Sequence, residues 1–138
     1  AIKLHGRESP EEVRPLIAEA LGDRISIHTD TPLGELFEGA AGVVVLASTV
    51  GLEALLHGLP LAVLEIPGYG FQYDYVQSGA AVGLSWSAPM ESQVRSLFEP
   101  SEQRRLRVQA YMRHQFASRH EATANVVDLI RRLLLESR

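Results

Sequence analysis

Gly42-Val43-Val44-Val45-Leu46-Ala47-Ser48-Thr49-Val50-Gly51-Leu52-Glu53-Ala54-Leu55-Leu56-His57-Gly58-Leu59-Pro60-Leu61-Ala62-Val63-Leu64-Glu65 is the stretch that decides how this chain folds. Its first six residues are apolar and rich in β-branched side chains, so a strand there offers water no polar face. Such a strand is expected to be covered on both sides, as in a parallel sheet. A helix follows through Leu56, closed by His57-Gly58 and Pro60. Leu61 to Glu65 is a second buried strand. Strand, helix, strand within 24 residues is a βαβ unit with a right-handed crossover.

The same alternation extends outward. Ile2 to His5 reads as a strand that turns at Gly6. Ser9-Pro10-Glu11-Glu12 is a helix start, with Ser9 as cap, Pro10 in the first helical position and acids at the positive end of the dipole. That helix is expected to reach Leu21, to stop at Gly22, and to bury Val13, Leu16, Ile17, Ala20 and Leu21. Ile25 to His28 reads as a strand, and Thr31-Pro32 opens a short helix carrying Leu33, Leu36 and Phe37. Downstream, Gln72 to Ser78 reads as a helical turn and Ala81 to Leu84 as the last strand. Pro89 to Phe98 and the segment from Ser101 onward are helical. The expected fold is α/β, one Rossmann-like domain over 1–138, with an open parallel sheet of about five strands flanked by helices.

Composition narrows the function. The chain has 138 residues, 46% apolar and 22% charged, with a net charge of -4 and no cysteine. A mildly acidic domain is a poor nucleic-acid binder. Without cysteine there is no disulfide and no thiolate chemistry, which suits a reducing, cytoplasmic location. No apolar run has the roughly 18 residues of a membrane span. The chain opens on a strand-like run without Met and is expected to be a piece of a longer protein.

In an open α/β sheet, ligands bind outside the carboxyl ends of the strands. Ser48-Thr49-Val50-Gly51 occupies such a position. Two hydroxyls and a glycine at a helix start, with free N–H groups and the helix dipole, form an anion site. Gly51 would let a ligand approach the backbone. Glu53, one turn on, suits the vicinal hydroxyls of a ribose. Alternatively, Ser48 or Thr49 is a plain cap and Glu53 a solvated helix residue. The loop Pro67 to Tyr75 carries Tyr69, Phe71, Tyr73 and Tyr75. Tyr69 is expected to wall the site, whereas Phe71 and Tyr75 are expected to pack. His28 reads as a cap, His57 as a dipole partner, His114 and His120 as exposed, and Arg104, Arg105 and Arg107 as a solvated face. No spacing of histidines and acids suggests a metal, and no cofactor is expected.

Ser48 to Pro60, following Gly42 to Ala47, resembles the donor-binding motif of GT-B glycosyltransferases. Lys3-Leu4-His5-Gly6 resembles the Lys-x-His-Pro segment of capsule and sialic-acid-type transferases, with Gly6 where the family usually has Pro. The resemblance implies the C-terminal, nucleotide-sugar-binding half of such an enzyme, serving bacterial surface-polysaccharide synthesis. Ser48, Thr49 and Gly51 would hold the phosphates of a nucleotide mono- or diphosphate sugar, Glu53 the ribose, and His5 the phosphate or base. It also implies a first strand and an N-terminal acceptor domain beyond this chain, so no catalytic residue is assigned and the isolated chain is expected to be inactive. A sugar-nucleotide 2-epimerase-like domain and a non-catalytic flavodoxin-like module are the alternatives. The resemblance further implies the strand order 2-1-3-4-5, counted along this chain, with Ile2 to Leu4 bonded to Val43 to Leu46; if that sheet fails to close, its open strand edges would favour a homodimer.

Overall fold

The computed structural model describes residues 1–21, 24–69, 73–117 and 121–136. Gly22, Phe71 and His120 lie outside the described residues. The chain is α/β, and among the described residues every strand pairing is parallel. It divides into two compact units, Ala1–Ala41 and Gly42–Arg138.

The first unit holds β1 (Ile2–Lys3), α1 (Pro10–Leu21), β2 (Ile27–His28) and α2 (Leu33–Glu38). β1 pairs with β2 in the register Ile2↔Ile27 and Lys3↔His28. The N–H groups of Ile2 and Leu4 go to the carbonyls of Ser26 and His28, at 2.8 and 2.9 Å. The Ser9 hydroxyl donates to the Glu11 carboxylate at 2.5 Å, while its carbonyl accepts the N–H groups of Glu12 and Val13. Phe37 is buried, but Leu16, expected in the apolar stripe of α1, is 78% exposed.

The second unit holds β3 (Val43–Val45), α3 (Val50–Leu56), β4 (Leu61–Glu65), β5 (Val82–Ser85), α4 (Met90–Phe98), α5 (Glu102–Gln115) and α6 (Ala122–Glu136). Its sheet runs β3-β4-β5, with Val43↔Leu61, Ala62↔Val82 and Glu65↔Ser85 in register. Leu61, Ala62, Val63 and Leu84 are buried. Leu97 of α4 packs on Ala62 and Leu84, with Leu64, Val82 and Met90 around them. The turn out of α3 is closed by Gly58 at φ +73, where a side chain would be strained. The Leu59 N–H reaches back to the Ala54 carbonyl at 3.0 Å.

Within each unit the strand order is the expected one: β2 beside β1, and β3-β4-β5 in sequence. Among the described residues β1 pairs with β2, β3 with β4 and β4 with β5. Ile2 and Leu4 direct their N–H groups to β2, and the His5 N–H turns to the Glu8 carboxylate at 2.6 Å. Val44 corrects a further expectation, since it is 57% exposed instead of covered on both faces. It lies on a strand at the edge of its ladder, whereas α4 lies over β5.

Candidate functional site

Ser48 opens the turn from β3 into α3. Its hydroxyl accepts the Val50 N–H at 3.2 Å, and its carbonyl accepts the Gly51 N–H at 3.2 Å. The Thr49 carbonyl takes the N–H groups of Leu52 at 2.9 Å and Glu53 at 3.4 Å. The donors from Val50 to Glu53, expected to be free for an anion, are therefore engaged by the turn itself. Thr49 has helical backbone angles, φ -61 and ψ -19, and its hydroxyl makes no capping bond. Thr49 and Glu53 are both exposed. Four positions apart, they share one face of the helix. A hydroxyl and a carboxylate thus face water together at the carboxyl end of a parallel sheet.

Gly51 has a different environment from the one its sequence suggests. It is buried, and a Cβ built on it would come within 2.8 Å of the Tyr75 ring. The space expected to admit a ligand holds an aromatic side chain instead. Tyr75 is 2% exposed, and its hydroxyl donates to the Ser48 carbonyl at 3.0 Å. Its ring stacks on Tyr73 with centroids 5.2 Å apart and tilts against Tyr111 at 5.7 Å. Burial pushes the Tyr75 hydroxyl up to about 12, with Tyr73 adding to the rise and the Leu52 N–H opposing it. Tyr111 is raised as well, by burial first and by the Asp74 carboxylate second. Tyr75 is the packing residue expected of it; Tyr69 is 48% exposed in the loop after β4.

His5 is exposed in the first unit, where its Nδ1 accepts the Arg7 N–H at 3.3 Å. His28 bridges Thr31 and Ser26, at 3.0 and 2.9 Å, in the structural role expected. His57 sits at the C-terminus of α3, its N–H on the Glu53 carbonyl. The three arginines are not one solvated face. Arg105 does pair with Glu102 in water. Arg104, however, donates to the carbonyls of Leu97 and Ser96 at 3.1 and 3.0 Å. It satisfies orphan acceptors at the end of α4. The Arg107 side chain lies against Gly79, whose φ is +73.

The carboxyl end of the second sheet carries groups that motif reading passes over. Glu65 closes β4, and its carboxylate lies against Gly83, where a Cβ would come within 2.5 Å of it. Ser85, its register partner, is followed by Trp86, which is 68% exposed. The usable signals are a carboxylate ending an apolar strand and the chain's one tryptophan between two serines. Two surface hollows lie elsewhere. One, about 380 Å³, is lined by Leu56, Gln109, Met112, Arg113 and Phe116. The other, about 250 Å³, includes Gly79, Ser101, Arg104 and Arg107. Neither includes Thr49 or Glu53. Among the described residues no helix is long and apolar enough to cross a membrane.

Residues 11–119 match the model of the capsule polysaccharide biosynthesis protein family, and this chain belongs to that family. It is also 43% identical over 69 residues to the capsule polysaccharide export protein KpsS of Escherichia coli. That match covers 43% of this chain and 18% of the relative. No solved structure matches the chain significantly. The family is one of capsule polysaccharide biosynthesis, and the chain spans less than a fifth of the length of the relative it matches.

Proposed function

We propose that the chain is the nucleotide-sugar-binding half of a GT-B-type glycosyltransferase of capsule synthesis, a single domain of a larger protein. The observation that carries this reading is the shared exposed face of Thr49 and Glu53 at the start of α3. The Thr49 hydroxyl donates to a phosphate oxygen, and the Glu53 carboxylate accepts from the ribose hydroxyls. Ser48 and Gly51 hold the turn that presents them, and Tyr69 walls the site. The acceptor and the general base belong to the absent domain, so this chain alone has no turnover.

A second reading has an observation of its own. Tyr75 fills the space over Gly51, as expected of a non-catalytic α/β module whose cleft is closed by side chains. Titration of UDP, CDP and CMP, followed by backbone NMR, decides between them. Shifts centred on Thr49 to Glu53, and a Glu53→Ala variant that weakens nucleotides but not inorganic phosphate, support the donor site. Silence at millimolar ligand supports the module.

A further inference from the structure

We propose that the hollow walled by Arg104 and Arg107 of α5 and floored by Gly79, Ala81 and Val82 binds a phosphate monoester. It lies at the amino end of β5, where Val82 begins the strand. The candidate donor site is at the carboxyl end of β3, and neither Thr49 nor Glu53 lines the hollow. The space measures about 250 Å³, below the roughly 300–1,000 Å³ of pockets that take drug-sized ligands. A phosphate group fits there, and a whole nucleotide does not.

Side-chain charge selects the ligand. Ser101, Arg104 and Arg107 recur at three-residue spacing, share one face of α5 and all line the hollow. Arg104 gives two N–H groups to the carbonyls of Leu97 and Ser96 and keeps the rest of its fork. Among the described residues no carboxylate pairs with Arg104 or Arg107, and no acid lines the hollow. Glu102, between Ser101 and Gln103 in sequence, is held by Arg105 at 2.8 and 2.5 Å. Two guanidinium groups without a counter-ion, in a chain of net charge -4, mark a place for an anion. The Ser101 hydroxyl accepts the Arg104 N–H at 3.2 Å and retains its own proton to donate. Two forks and a hydroxyl suit the three terminal oxygens of a phosphate monoester better than the two of a carboxylate.

The floor is braced before any ligand arrives. The N–H groups of Ser78, Gly79 and Ala81 bond the carbonyls of Asp74, Val76 and Tyr75, at 2.8, 2.9 and 2.9 Å. Gly79 has φ +73, and a Cβ built on it would come within 2.6 Å of Arg107 Nη1. The position therefore needs glycine twice, for its backbone angle and because the guanidinium occupies the place of a side chain.

The 138-residue chain would be titrated with inorganic phosphate and with acetate at one fixed ionic strength, followed by backbone NMR. Phosphate should give saturating shifts at Gly79, Ala81 and Gln103, with a Kd on the order of millimolar, and acetate should bind more weakly. Arg107→Gln should weaken phosphate about threefold to tenfold. Arg113→Gln, an equal loss of charge on the same helix but outside this hollow, should not. Glycerol 3-phosphate and vesicles of phosphatidic acid carry the same monoester. Arg107-dependent binding of the first supports a soluble ligand at the site, and of the second a lipid headgroup. Shifts that never saturate, that acetate reproduces, or that centre away from the hollow would overturn the proposal, as would equal losses in the two variants. The donor-site reading is independent: phosphate shifts confined to Thr49 to Glu53 would sink the hollow and leave that reading standing.

Discussion

The Tyr75 hydroxyl donates to the Ser48 carbonyl at 3.0 Å, tying the connection between β4 and β5 to the turn that opens α3. The same ring fills the place of a side chain on Gly51. The candidate site therefore stands on an aromatic support 27 residues away in sequence.

That support makes Gly51 sensitive to a single methyl. Gly51→Ala would press a Cβ to 2.8 Å from the ring and should cost about 1–3 kcal/mol of stability, the usual penalty of overpacking. Gly6, with nothing within 4 Å of a built Cβ, should accept alanine with a change of less than about 0.5 kcal/mol. Denaturant unfolding of the two variants measures the contrast. Equal costs would mean that the ring moves aside freely.

Alkaline pH should loosen the same support. The Tyr75 hydroxyl titrates at about 12 when folded, against an ordinary 10.0, because burial disfavours the phenolate. A folded-state value above the unfolded one means that stability is full below pH 10.0 and is lost as pH climbs toward about 12. Tyr111, raised by burial and Asp74, adds to the same loss. Melting temperature followed across that window should fall, and less steeply in Tyr75→Phe. A flat profile would contradict the burial of both rings.

The basic cluster of α5 should split by function. Arg104→Ala removes two bonds to carbonyls at the end of α4 and should cost roughly 1–3 kcal/mol. Arg105→Ala breaks only an exposed pair with Glu102 and should cost less than about 1 kcal/mol. Thermal melts of the two variants test the ranking, and the reverse order would refute the capping role.

Much of this architecture is legible in the sequence because it follows from periodicity. Gly42 to Glu65 announces strand, helix and strand, and β3, α3 and β4 fall within the expected spans. The fates of Leu16, Val44 and Gly51 are less legible because they depend on neighbours that local pattern cannot supply. An apolar position implies a face to be covered, but Val44 is left open where α4 covers β5 instead. A glycine at a helix start suits a ligand or a ring equally, and only the arrival of Tyr75 decides between them. Thr49 and Glu53 are legible as a pair by spacing alone. Trp86 and Glu65 belong to no motif and become visible only once β4 and β5 are in register.

The ladders of the second sheet join residues 18 and 20 positions apart, Val43 to Leu61 and Ala62 to Val82. Each new strand needs only one crossover segment before it meets its predecessor. Loop closure over such distances is entropically cheap, and contacts this local favour rapid folding. During synthesis the sheet can therefore be laid down strand by strand in the order in which the chain emerges, with β3 and β4 paired before Trp86 has left the ribosome.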